Sequence, residues 1–147
     1  MLEPGRGNKR AFDSIKNAPR ETRRALRQAN FQIGKDHIDE LNRQMLAKDK
    51  TGRFYVRRTR TGRRRLHRAS APGQTAANRT GRMRKSRGFQ LSGSDKLEFG
   101  IRGAPYAAFL ERGTKNIQPR PSLLNTVNAV ERNTTNRYLM NLKARLK

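Results

Sequence analysis

The chain has 147 residues, and 35 Lys and Arg against 11 Asp and Glu give it a formal charge of +24. Leu, Ile, Val and Phe fill 27 of the 147 positions, too few for a large free-standing core, so a chain this charged is either disordered or completed by copies of itself or an anionic partner. It has no cysteine, which excludes disulfide scaffolds, thiolate zinc sites and cysteine nucleophiles; its only histidines are His37 and His67.

Residues 1–18 contain Pro4, Gly5 and Gly7 among alternating charges and read as a flexible N-terminal arm, with Phe12 and Ile15 as docking points. The opening MLEPGRGNKRAF has no apolar h-region, so a secretory signal is not expected, and no run of about 18 apolar residues offers a membrane span. Residues 19–147 read as a single α+β domain. Asn17-Ala18-Pro19 looks like a helix start, and Leu26, Ala29, Ile33, Ile38, Leu41 and Met45 form one apolar stripe. The spacing predicts a helix from Pro19 to about Leu46, roughly 40 Å long, with Gly34 marking a close helix crossing or a bend.

Residues 51–88 carry 13 basic side chains and no acid, over half of the net charge, and eight arginines lie between Arg53 and Arg68. Phe54 and Val56 alternate with Arg53, Tyr55 and Arg57 as in a strand. Arg60-Thr61-Gly62-Arg63 reads as a turn, and Leu66 and Arg68 belong to a returning strand. This predicts a projecting β-hairpin that bears Arg57, Arg58, Arg60, Arg63, Arg64, Arg65 and Arg68. So many like charges call for nucleic-acid phosphate or an acidic protein neighbour opposite them, unless they are simply solvated. With no RNA-binding aromatic motif present, any nucleic-acid contact is expected to be indifferent to sequence.

The small, uncharged residues 69–78, ASAPGQTAAN, are expected to lie outside the core, along another protein surface, with a turn at Pro72-Gly73. Thr80 to Ser86 reads as a short helix or a strand lead-in. Phe89 and Leu91, then Leu97, Phe99 and Ile101, alternate on either side of Ser92-Gly93-Ser94-Asp95. They make a second hairpin with one apolar face, which the two long helices are expected to cover. Residues 104–114 read as a short helix, with Gly113 as a left-handed C-terminal cap. A last helix runs from about Arg120 to Arg145 and places Leu123, Val127, Val130, Tyr138, Leu142 and Leu146 near one face, with Thr134 filling the gap. The expected architecture is a small antiparallel sheet packed by a long N-terminal helix and a C-terminal helix.

No catalytic constellation stands out. Asp36-His37-Asp39-Glu40 puts Asp36 and Glu40 one turn apart, where they could share a cation, but with no second histidine or partner loop the stretch reads as a solvent-facing helix surface. Glu111 is expected to pair with an arginine such as Arg112, Arg120 or a neighbouring subunit's. His67 and Ser70 have no acid between residues 51 and 88 to complete a triad, and no phosphate-binding glycine loop is present. The chain is expected not to be an enzyme and to need no cofactor or metal.

Three stretches carry a resemblance: ASAPGQTAANRTGRMRKS at 69–86, PYAAFLERGT at 105–114 and QPRPSLLNTV at 118–127. Together they resemble the gene-product-ten-like neck and tail-completion proteins of long-tailed bacteriophages. The matching positions are Ala71, Pro72 and Gly73; Thr80 and Gly81, with Met83; Tyr106, Ala107, Glu111, Gly113 and Thr114; then Arg120, Pro121 and Leu123. Ser122 stands where that family more often has an aromatic, and the arginine-rich hairpin is a further departure. The resemblance implies an α+β virion protein of the neck, assembled in the host cytoplasm. It implies a homo-oligomeric ring, expected to be hexameric, between a head-closure or connector protein and a tail terminator or tail tube protein. The family-motif residues would then be structural or interfacial, and the arginine collar would face double-stranded DNA in the channel. The alternative reading is an independent basic nucleic-acid-binding protein.

Overall fold

A computed structural model describes residues 19–93 and 96–145. In chain order its elements are α1 Arg20–Leu46, β1 Phe54–Arg58, β2 Arg64–Arg68, α2 Arg82–Lys85, β3 Arg87–Ser92, β4 Lys96–Ile101, α3 Tyr106–Arg112 and α4 Ser122–Arg145. The strands form two separate antiparallel pairs, β1 with β2 and β3 with β4, so the fold is α+β with a long helix near each end of the chain. The expected arm, Ser94-Asp95 of the second turn, and the side chains of Tyr138, Leu142 and Leu146 lie outside the described residues.

Pro19 sits at the N-cap of α1 with an extended ψ of 152°, and its carbonyl accepts the Arg23 N–H at 3.1 Å. The buried stripe differs from the apolar one. Ala25, Leu26, Ala29, Asn30, Gly34, His37, Leu41 and Met45 turn inward, whereas Ile33 and Ile38 are only half-buried. Small and polar residues win the inward face because a strand pair lies tight against it. The register Phe89↔Phe99, Leu91↔Leu97 and Arg87↔Ile101 puts the large side chains of β3 and β4 on one face. The Phe89 ring lies directly over Gly34, where a Cβ would come within 2.4 Å of it. Gly34 therefore marks a close approach, but by an aromatic ring of β3 rather than by a helix, and α1 runs through it unbroken. Phe31 meets Phe89 edge-on at 5.4 Å, and Phe99 lies 5.2 Å from the His37 ring.

Helix α4 packs on α1 through Ser122, Thr126 and Val130, one per turn, with half-buried Thr134 next in line. The Thr126 and Thr134 hydroxyls donate back to the carbonyls of Ser122 at 2.8 Å and Val130 at 2.6 Å, which satisfies them away from water. The helix begins at Ser122 rather than Arg120. The core proper is Leu41, Met45, Ala76, Met83, Ala104 and Ala107, edged by Phe99, Ile101, Leu110 and Leu123. Ala76 belongs to it, and Ser70 and Thr75 are buried, which corrects the expectation that 69–78 lies outside the core. Small side chains let this stretch pass beneath its neighbours, because a backbone can approach closely where nothing large intervenes.

Candidate functional site

The β1–β2 hairpin pairs Phe54↔Arg68, Tyr55↔His67, Val56↔Leu66, Arg57↔Arg65 and Arg58↔Arg64. Its tip closes with the Gly62 N–H on the Thr59 carbonyl at 3.0 Å and the Thr59 N–H on the Arg63 carbonyl at 2.9 Å. Gly62 has φ +79°, the left-handed residue that follows a type I turn in a three-residue hairpin loop. Arg60 and Arg63 sit at this tip, as expected. Two arginine pairs stand directly opposite each other, an arrangement that destabilises an isolated sheet. Among the described residues, no carboxylate lies within ion-pair distance of Arg57, Arg58, Arg60, Arg63, Arg64, Arg65 or Arg68.

The two faces of this hairpin differ. Tyr55, His67, Arg57 and Arg65 share one face: His67 lines a groove of the body, an Arg57 Nη donates to the Arg79 carbonyl at 2.9 Å, and Tyr55 is 55% exposed. Phe54, Val56 and Leu66 share the other face and are 56%, 65% and 67% exposed. Arg68 stacks its guanidinium over the Phe54 ring at 4.9 Å. The hairpin is held at its base, where the Gly52 N–H donates to the Ala69 carbonyl at 3.0 Å and the Ala69 N–H to the Arg53 carbonyl at 2.9 Å.

The other candidate residues converge on the start of α4. The Gly73 N–H donates to the Pro119 carbonyl at 2.9 Å, and the Gln74 N–H closes the Pro72-Gly73 turn on the Ala71 carbonyl at 3.2 Å. The Arg120 N–H donates to the Leu110 carbonyl at 2.6 Å, and its Nε to the Ser70 carbonyl at 3.0 Å. The Asn125 N–H donates to the Pro121 carbonyl at 3.0 Å. Glu111 accepts the Leu123 N–H at 3.1 Å and the Leu124 N–H at 3.0 Å. It therefore caps the N-terminus of α4 from α3, where free N–H groups and the helix dipole favour a carboxylate. The expected ion pair of Glu111 with an arginine is replaced by this cap.

Gly113 has φ +76° and ψ 177°, so it is not the left-handed cap expected, but an extended conformation of positive φ that is essentially confined to glycine. It feeds a tight loop in which Thr114 and Ile117 exchange backbone hydrogen bonds at 2.8 and 3.2 Å. Thr80 accepts the Arg82 N–H at 3.4 Å beside Gly81, the N-cap of α2, and Met83 enters the core. Tyr106 is part-exposed on the groove wall.

Sequence reading missed the residues that join these pieces. Gln44 of α1 accepts the Thr75 hydroxyl at 2.7 Å and donates to Glu40 at 2.7 Å. The Gln74 carbonyl oxygen accepts the N–H groups of Ala71 at 2.9 Å and Thr51 at 3.1 Å. Ser122 accepts the Ala76 N–H at 3.0 Å. Glutamines and serines carry no periodic signal; only the i, i+4 recurrence of Ser122 and Thr126 on an otherwise apolar face hinted at them.

In the acidic stretch of α1, Glu40 holds Arg43 through two hydrogen bonds of 2.7 and 2.6 Å, which keep its carboxyl below the usual glutamate range. Asp36 accepts from Gln32 at 3.1 Å. Buried Lys50 donates to the Gln44 carbonyl at 2.8 Å, and its burial lowers the ammonium below the usual lysine range. Among the described residues, no three His, Asp or Glu side chains group as a metal site, and no helix is long and apolar enough to cross a membrane. No family model, curated protein or solved structure matches the chain.

Proposed function

We propose that this chain is a non-catalytic structural subunit of a homo-oligomeric ring in the neck of a long-tailed phage particle. The ring joins a head-side connector or closure protein to a tail terminator or tube protein and surrounds the DNA path. The observation that carries the reading is the free hairpin. A two-stranded pair is marginal alone in water, yet this one leaves Phe54, Val56 and Leu66 more than half exposed and sets arginines against each other with, among the described residues, no carboxylate within ion-pair distance. Such a hairpin suits a subunit whose neighbours cover the apolar face and whose arginine tip meets phosphate. The motif stretches at 69–86, 105–114 and 118–127 add the neck assignment through their resemblance.

The alternative, an independent basic nucleic-acid-binding protein, would use the same arginines but leaves the apolar face without a cover. Sedimentation and electron microscopy of the purified full chain separate the two. The proposal expects rings without nucleic acid, and particles lacking the protein as unattached heads and tails. A stable monomer that binds DNA with a steep salt dependence and is absent from virions would replace it with the alternative.

A further inference from the structure

A concavity of about 980 Å³ opens between His67 of the β1–β2 hairpin, the 76–83 segment and α3. Its floor is apolar, with Met45, Met83 and Leu110, and Tyr106 stands part-exposed at its side. Its rim is cationic, with Arg79, Arg82, Lys85 and Arg120, and among the described residues no carboxylate lines it. One wall is backbone. The Ala76 N–H is tied to Ser122 Oγ at 3.0 Å and the Asn78 N–H to the Met45 carbonyl at 3.2 Å. Ala77 between them lines the groove, and among the described residues its N–H and C=O have no hydrogen-bond partner.

We propose that this groove binds an extended, acidic segment of a partner protein, which adds its backbone alongside Ala77. An apolar side chain of the segment rests on Met45, Met83 and Leu110 while flanking carboxylates reach Arg79, Arg82, Lys85 and Arg120. Each element of the wall selects against another occupant. A free N–H and C=O beside two alanines invite main-chain pairing, the basis of strand addition. The methionine floor suits an aliphatic anchor and offers nothing to a phosphate. A DNA duplex presents phosphates to the basic rim but no main chain to pair beside Ala77 and no aliphatic anchor for the floor. Charge complementarity then fixes the sign of the partner. This site is separate from the outer hairpin face and goes beyond the ring reading, since it holds for a subunit of any oligomeric state.

The test uses the full chain, isotope-labelled, with a capped synthetic peptide of alternating Glu and Leu. The expected result is saturable binding with amide shifts at residues 76–83 and at Tyr106. It is expected to weaken about tenfold in the Arg82→Glu, Lys85→Glu double variant and to vanish when alternate amides of the peptide are N-methylated. The methylated peptide leaves the protein untouched, so its result does not depend on whether a variant folds. Absence of binding overturns the proposal. So does equal binding by an oligoglutamate without leucine, equal binding by the methylated peptide, or a DNA duplex that shifts the 76–83 amides and displaces the peptide.

Discussion

The two hairpins have the same construction and opposite fates. Each is a short antiparallel pair, and in each the Phe, Leu, Val and Ile side chains share one face. In β3–β4, Phe89 and Phe99 settle on α1, one over Gly34 and the other against His37. In β1–β2, the equivalent face of Phe54, Val56 and Leu66 stays open, and arginine replaces nearly everything around it. The first hairpin belongs to the subunit's own stability. The second leaves its apolar face uncovered among the described residues, which is the ground for proposing that neighbouring molecules cover it.

The strongest way to break this contrast is to unseat the covered hairpin. Gly34→Val forces a side chain into the Phe89 ring and should cost about 3 kcal/mol in denaturant unfolding, the upper end of overpacking penalties. An unchanged midpoint would mean that Phe89 does not press on α1 as described. Removing the cap in Glu111→Ala should cost about 1–2 kcal/mol, because two amides of α4 lose their carboxylate. A loss confined to that range, with α4 helicity reduced in hydrogen exchange, would separate capping from a surface ion pair.

The free hairpin should behave in the opposite way. Replacing Arg60, Arg63, Arg64 and Arg65 together with Ser should leave thermal unfolding nearly unchanged while flattening the salt dependence of DNA binding by about 3–4 in log–log slope. Unfolding of that variant would show the hairpin to be part of the fold. The smallest effect concerns pH. The Glu40 carboxyl sits below its ordinary value of 4.5, so its pairing with Arg43 stabilises the fold above that pH and is lost as pH falls through the lowered value. Arg43 is 71% exposed, so the gain is within about 1 kcal/mol, and Glu40→Gln should remove that part of the acid dependence.

Both hairpins, both long helices and the position of the arginine tip are legible in the residues, because these rest on alternation, apolar period and turn residues. The apolar period points to Ile33 and Ile38 for the core in preference to Asn30 and His37, since periodicity cannot register that an aromatic ring occupies the space above Gly34. The want of large side chains points 69–78 away from the core, although small ones are what a close backbone approach requires. Glu111 was singled out by its isolation among basic residues. Its partners are backbone amides 12 and 13 residues away, which no residue pattern announces.

The base of the free hairpin has a practical consequence. Gly52 and Ala69 are joined by a backbone hydrogen bond of 3.0 Å, so the chain leaves and re-enters the body at nearly the same place. Residues 54–68 can therefore be shortened, exchanged or replaced by a reporter peptide with little change in the entropy of closing the loop. This makes the hairpin the natural grafting point of the molecule: a segment whose exchange is expected to leave the rest of the fold in place, at the cost of the contacts that Arg57 and His67 make.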